Sequence, residues 1–452
     1  MMRRMRSETG QSGNRSHLAP VNRSEPLPLA ALLVACAVWL AAPRAVVAQV
    51  SYVARFTLEK PTCLQDEPIF CKFTIQNTGT QVFAFSYRTP SRAPNPELEA
   101  EPRFFVRDQQ GQRLPDPAPK PCGGAKGSTV YGSVTLPPGQ THTERWLLNQ
   151  WARFSSPGRY RVRAERRLPL LGLNASRQDF SGPPVAYALA INELSLEVLP
   201  STQDQLQSAF QPYLRILEKP AGPTAEEALR VLATLPQPFA LERLSALARA
   251  PAGQRGWDRQ QALEGLARLG TGDAWEEILK IARGSEGGPA TAPQAAKPAE
   301  DSLRAYAVLL LGEKGDAAFL PTLLEMLPAA SETLRGEVLR TLGLFDDSRA
   351  NQVLFEKLYS PVTTDRVNAI LGLRNLGSRD VIPALIAMLS DPDAQVRQVG
   401  HFALQGLTGQ KISLPQRASP AESRRVAEQW HAWWRKQGPS FVPAGRAPCQ
   451  EW

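Results

Sequence analysis

RVNAILGLRNLGSRDVIPALIAML, residues 366–389, contains two helical patterns with a break between them. Arg366–Leu376 places apolar side chains at the three- and four-residue spacings of an amphipathic helix, Gly377 caps it, and Val381–Leu389 forms a second. Pro383 stands early in that second helix, where a missing N–H does no harm. The pattern recurs. Arg304, Arg335, Arg366 and Arg397 are each 31 residues apart, and seven residues after them come Leu311, Leu342, Leu373 and Leu404. Leu323, Leu354 and Leu385 repeat at the same interval, as do Leu327, Leu358 and Leu389, and Pro321 matches Pro383. Backwards, Arg259 with Leu266 and Ile278 fits the template, and so do Leu232, Leu235 and Leu247 counted from Ala228, which lacks the arginine. Neither helix of such a unit can bury its stripe alone, but stacked neighbours can. Residues 224–410 are therefore expected to form an α-solenoid of five helix pairs plus a final helix. The step from Arg259 to Arg304 is 45 because SEGGPATAPQAAK (285–297) interrupts it, and 285–298 is expected as an inserted disordered loop.

DPDAQVRQVGHFALQGLTG (391–409) resembles the short HEAT-like repeat associated with phycobilisome lyases, and residues 366–389 fit it equally. Tetratricopeptide and ankyrin repeats are excluded by period and by their missing signature residues. The repeated Arg259, Arg304, Arg335, Arg366 and Arg397 have two readings. They could line a groove that grips an acidic peptide. The resemblance instead implies a structural ladder bonded to the neighbouring unit's loop carbonyls or carboxylates, with Asp301, Glu332 and Asp393 as candidates, and that role is favoured. The family name also raises a lyase-like enzyme. Those lyases act on cytosolic pigment proteins, from which an exported chain departs.

Upstream, 49–202 reads as β-structure. Ile69, Cys71, Phe73 and Ile75 alternate with Phe70, Lys72, Thr74 and Gln76, the period of a half-buried strand. Asn77-Thr78-Gly79 is expected to close a hairpin into Val82–Tyr87. About seven or eight such runs precede residue 203, and no helical period of comparable strength does. Residues 136–164, ending in PGRYRVRA (157–164), resemble the closing part of bacterial immunoglobulin-like domains. The fold class is thus multi-domain β + α: an immunoglobulin-like β-sandwich, a linker at 203–223, then an α-solenoid of HEAT-like helix pairs. Arg159, Arg161 and Arg163 share one strand face. They could bind polyanionic cell-wall material, but a solvated face with edge-protecting charges is the simpler reading.

Residues 411–452 form a C-terminal cap and tail. PAESRRVAEQWHAWWRK (420–436) is expected as one helix, with Ser419 and Glu422 as a capping box. Val426, Trp430, Trp433 and Trp434 make a broad apolar face suited to covering the last repeat, or to holding a sugar.

The N-terminus reads as an export signal. Residues 1–26 carry five arginines against two glutamates, Leu29–Ala42 is apolar but shorter than a membrane span, and Val46 and Ala48 suit signal peptidase. The signal, 1–48, is expected to be cleaved near Ala48, giving a periplasmic or secreted protein. Lipidation at Cys36, within the lipobox-like Leu33–Cys36, is the alternative and the one route to membrane attachment. The formal charge of +9 falls to +5 without that segment, 46 basic against 41 acidic residues, which is no nucleic-acid footprint. Export makes Cys63, Cys71 and Cys122 disulfide candidates. His142, His401 and His431 lie far apart, and no nucleophile, phosphate-loop or metal motif occurs. The expectation is a protein without catalytic site, metal or cofactor that binds a protein partner across the concave face of the solenoid.

Overall fold

The computed structural model describes residues 50–88, 101–115, 117, 131–173, 179–180, 183–220, 222–251, 256–284 and 297–443. The signal at 1–48 with Cys36 and Ala48, Cys122, and 285–296 of the expected loop lie outside the described residues; Lys297 and Pro298 already begin a helix. The described chain has an N-terminal β region and a C-terminal helical region, β plus α.

Among the described residues, nine strands make two sheets. One has the order β1 (Tyr52–Leu58), β3 (Phe70–Asn77), β7 (Thr141–Leu147). The other runs β2 (Thr62–Leu64), β9 (Ala186–Leu199), β8 (Gly158–Gly172), β4 (Phe83–Arg88), β6 (Tyr131–Leu136), with β5 (Arg103–Arg107) on β8. Inward residues of both sheets share one apolar core, in which Phe56 of β1 meets Phe104 of β5 edge-on at 5.6 Å. Ile69, Cys71, Phe73 and Ile75 are all buried there, as their alternation requires.

The expected hairpin at Asn77 does not form, because β3 pairs with β1 and β7 while β4 pairs with β6 and β8. Asn77 instead secures a crossover between sheets. Fully buried, its amide donates to the carbonyls of Gln81 (2.7 Å) and Leu136 (2.8 Å) and its Oδ1 accepts from Gly79 N–H at 3.0 Å. A turn-forming residue and a crossover anchor look the same in one dimension.

Residues 203–223, expected as a linker, instead carry α1 (Gln203–Ile216), which opens on a Thr202/Gln205 capping box. Five helix pairs follow: α2 (Gly222–Thr234) and α3 (Leu241–Ala248), α4 (Gly256–Leu269) and α5 (Gly272–Arg283), α6 (Lys297–Lys314) and α7 (Leu320–Met326), α8 (Glu332–Leu342) and α9 (Ser348–Lys357), α10 (Thr363–Leu376) and α11 (Ile382–Ala387). Then come α12 (Ala394–Thr408) and α13 (Pro420–Gln437). The leucines of the 31-residue register, Leu311, Leu342, Leu373 and Leu404 among them, are fully buried in one continuous core. Gly377 caps α10 with φ 67°, a backbone conformation that glycine adopts at no steric cost. The second helices are shorter than the sequence pattern, α11 being flanked by 3₁₀ turns at Arg379–Val381 and Met388–Ser390.

The β region is fastened to the helices. Phe70 and Leu147, on the outer face of the smaller sheet, are buried in the helical core with Phe210 and Leu217. Arg145 lies over the Phe70 ring at 4.0 Å, bonds both oxygens of Glu59 at 2.8 and 2.9 Å, and pairs with Glu227 of α2. Hydrogen bonding from Arg145 holds the Glu59 carboxyl below its ordinary range.

The helix α13 covers the end of the array with Val426, Ala427 and Trp430, and its capping box is formed: Ser419 N–H donates to Glu422 at 2.7 Å and Glu422 N–H to Ser419 Oγ at 3.3 Å. His401 is buried against it, accepting at Nδ1 from Trp430 Nε1 at 3.3 Å.

Two outcomes are expected. The first helices α8 and α10 touch backbone to backbone, so a Cβ on Gly343 would stand 1.8 Å from Gly372 O. Gly343→Ala should cost about 2–3 kcal/mol in chemical denaturation. Burial lowers the pKa of His401 from 6.5, so the folded chain keeps it neutral while the unfolded chain protonates it. Stability should therefore fall as pH drops below that value, and His401→Gln should reduce this acid-side loss of Tm.

Candidate functional site

The five arginines of the repeat register all turn toward the chain's own backbone. Arg259 Nε donates to Ala248 O at 3.1 Å and its two terminal nitrogens to Glu300 at 2.9 and 3.2 Å. Arg304 donates to Ala282 O (3.0 Å) and Arg283 O (2.8 Å), with Asp301 at 3.6 Å. Arg335 bonds Asp365 at 2.7 Å and Ala330 O at 3.1 Å. Arg366 forks onto both oxygens of Asp391 (2.9 and 3.0 Å) and reaches Ser360 O at 2.9 Å. Arg397 bonds the carbonyls of Asp391 and Pro392, both at 2.9 Å, and Ser423 Oγ at 3.1 Å.

The physical reason is common to all five. A short second helix ends with carbonyls that have no intrahelical partner, and the next unit shuts out the water that would serve them. A guanidinium carries enough fixed donors to serve those carbonyls and a carboxylate together. The carboxylates are Glu300, Asp365 and Asp391, which differ from the three expected from sequence. Asp301 sits on the helix of its own arginine, Glu332 lies in the first turn of α8, and Asp393 caps α12 by accepting from Gln395 N–H at 2.7 Å.

A second set of side chains was not singled out by the sequence reading. Two residues after each register position stand Arg230, Gln261, Tyr306, Glu337 and Asn368, half-buried on the first helices. The later members join across units. Tyr306 donates to Glu264 at 2.5 Å, Arg340 donates to Asn368 Oδ1 at 3.0 Å and pairs with Glu337, and Asn375 donates to Arg340 O at 3.2 Å. The first two members are different. Gln261 Oε1 is buried without a partner, and Arg230 lies within the field of the Glu227 and Glu226 carboxylates of its own helix. Burial also holds Arg230 below the ordinary arginine range. The signal was present in the sequence as polar residues at one register position, but it is invisible unless the register is counted from an arginine that the first unit lacks.

In the β region, Arg159, Arg161 and Arg163 are exposed on one face, Arg159 lying 3.7 Å from Glu197 and Arg163 pairing with Glu165. Arg166 faces inward, buried at 2.8 Å from Glu144 and over the Phe73 ring at 4.5 Å, and burial lowers its pKa against the pull of Glu144. His142 reaches the same Glu144 at 3.2 Å. Cys63 and Cys71 are buried free thiols, pushed up by burial to about 11 and about 12. The expected bridge between candidates of this region is thus not found among the described residues: Cys63 lies on β2 in one sheet, Cys71 on β3 in the other. Among the described residues no cluster of three His, Cys, Asp or Glu side chains could hold a metal, and no helix is long and apolar enough to cross a membrane.

The PBS lyase HEAT-like repeat is found at residues 365–391, from the first turn of α10 to the turn before α12. No curated relative matches the chain. Among solved structures, the CARDB domain of a Pyrococcus furiosus protein is 11% identical and covers 34% of this chain and 97% of its own, with a TM-score of 0.17. An engineered protein is 16% identical over 43% of this chain and 95% of its own, with a TM-score of 0.26. An Escherichia coli alpha-2-macroglobulin fragment is 14% identical over 85% of this chain and 66% of its own, with a TM-score of 0.21. The helical region is therefore a repeat-type scaffold on the strength of its repeat and its own contacts.

Arg366→Ala would strand the buried Asp391 carboxylate and the Ser360 carbonyl together. It should cost about 3 kcal/mol in urea denaturation. Arg366→Lys should recover only part of that, because an ammonium cannot span both partners with a planar fork.

Proposed function

We propose that the chain is an exported, non-catalytic scaffold whose HEAT-like solenoid, seated on an immunoglobulin-like sandwich, binds another protein along its concave face. The face in question is that of the first helices. Their backbone-to-backbone approach at Gly343 and Gly372 draws one side of the array together, so curvature turns that side inward. The observation that carries the proposal is the half-finished polar row on it: Gln261 has unmet hydrogen-bonding capacity where later members satisfy one another. A peptide segment offers a carboxylate or carbonyl for Arg230 and an amide N–H for Gln261. Export is supported by the charged start, apolar run and small-residue site over residues 1–48.

The test uses residues 50–452, since cutting away the β region would uncover Phe70, Leu147 and the helix faces they fill. A photoreactive residue replacing Glu337, on the inner row, should capture a partner from envelope extract, and one replacing the exposed Glu356 of α9 should not. Arg230→Glu should abolish the capture. Labelling that arises only from β8 and β9 positions would place binding on the β region and defeat the proposal.

A further inference from the structure

The hairpin of β8 and β9 changes character along its length. Its outward-facing pairs run Arg159–Glu197, Arg161–Ser195 and Arg163–Glu193, then Glu165–Ile191, Arg167–Leu189 and Pro169–Tyr187. Beyond them stand Leu171, Leu173 and Val185. Leu173, Val185, Tyr187, Leu189 and Ile191 are each between 42% and 57% exposed, five of the eleven large apolar side chains so exposed among the described residues. Isolated exposed leucines are ordinary, but a contiguous patch on one end of one hairpin is an interaction surface.

The patch is a face rather than an edge open to another strand. Along the β9 edge, Tyr52 Oη donates to Tyr187 O at 2.9 Å and accepts from Leu189 N–H at 3.4 Å, and Asn192 Oδ1 accepts from Phe56 N–H at 2.8 Å. Strand β1 therefore already occupies that edge, which disfavours addition of a partner strand. These contacts also fix direction. Tyr52 lies beside Tyr187 and Leu189, and Phe56 beside Asn192, so β1 runs parallel to β9.

We propose that this hairpin end rests on an anionic lipid surface. Aliphatic side chains enter the interface, and Tyr187, between Val185 and Leu189, carries Arg167 stacked on its ring at 4.0 Å, which gives the patch an amphipathic pair suited to headgroup level. The outer faces of β5, β8 and β9 carry six arginines, Arg103 and Arg107 completing the set, against Glu165, Glu193 and Glu197. That excess matches an anionic headgroup layer. The proposal is independent of partner binding on the helices. It also needs no lipid on Cys36, because the attachment is made by residues 50–452.

The experiment is vesicle co-sedimentation of residues 50–452, one compact unit with its own cores, with vesicles of equal parts phosphatidylglycerol and phosphatidylcholine and with pure phosphatidylcholine vesicles. Binding is expected to the first and to weaken with salt. The double substitution Leu189→Asp, Ile191→Asp should lower it about tenfold or more without changing Tm, both side chains being exposed. Leu189→Trp should give blue-shifted emission on the anionic vesicles, quenched by brominated lipid. Failure to sediment with either vesicle overturns the proposal, as does binding that the double variant leaves intact. Concentration-dependent dimerisation abolished by the double variant, without vesicle binding, would also overturn it and assign the face to a second copy of the chain.

Discussion

The helical array depends on what closes the ends of its second helices. Helix α11 has six residues and α7 seven, so most of their carbonyls belong to a terminus, where no N–H one turn onward exists to meet them. A longer second helix, such as the ten residues of α9, has the same closing carbonyls to satisfy. One guanidinium per unit, projecting from the following first helix, supplies several donors from a single side chain and ties the closing carbonyls to a carboxylate in or beside the next unit. The positive charge also lies at the negative end of the helix it closes. The register arginine is thus the common solution to one constraint, met at second helices of six to twelve residues.

That solution leaves the first helices to carry the stacking. They pass close enough for Gly343 and Gly372 to meet through backbone, while small side chains and buried leucines fill the rest. Close approach also brings polar residues of adjacent first helices within reach of one another, which is why Tyr306 finds Glu264 and Arg340 finds Asn368. Next to the β region the row changes. The register position there is Ala228, which lacks the arginine, and Gln261 Oε1 stands buried without a partner.

Periodic features were legible in the sequence because periodicity is what one dimension preserves. The 31-residue register predicted the first helices, the buried leucines and the glycine cap at Gly377, and the Ser419/Glu422 capping box predicted the start of α13. Features that depend on which elements become neighbours were not legible. Asn77 carries every local mark of a turn, yet it anchors a crossover because Leu136, far along the chain, presents a carbonyl to it. The carboxylates of the ladder were misassigned by a few residues for the same reason: Asp301 pairs with Arg304 of its own helix and Asp393 caps α12, while Glu300, Asp365 and Asp391 make the cross-unit bonds. Residues 203–223 lack the repeat and so read as a linker, although Phe210 packs into the helical core and a capping box opens α1.

The junction between the two regions gives these parts a common frame. Phe70 and Leu147 are core residues of the helical region carried on a β-sheet, and Arg145 lies flat on Phe70 while holding Glu59 on one side and Glu227 on the other. Separating the regions would expose two large apolar side chains and leave two carboxylates without their cation, so a hinge there is disfavoured on both apolar and electrostatic grounds. The smaller sheet therefore has no solvent-facing apolar surface left at that position, and the largest group of exposed apolar side chains of the β region lies on the other sheet, at the far end of β8 and β9. A chain built this way holds its half-satisfied helical row and its amphipathic hairpin in a fixed relation. Whatever occupies one is presented at a set distance and angle from whatever the other rests on, as a rigid bracket requires and a pair of tethered domains would not provide.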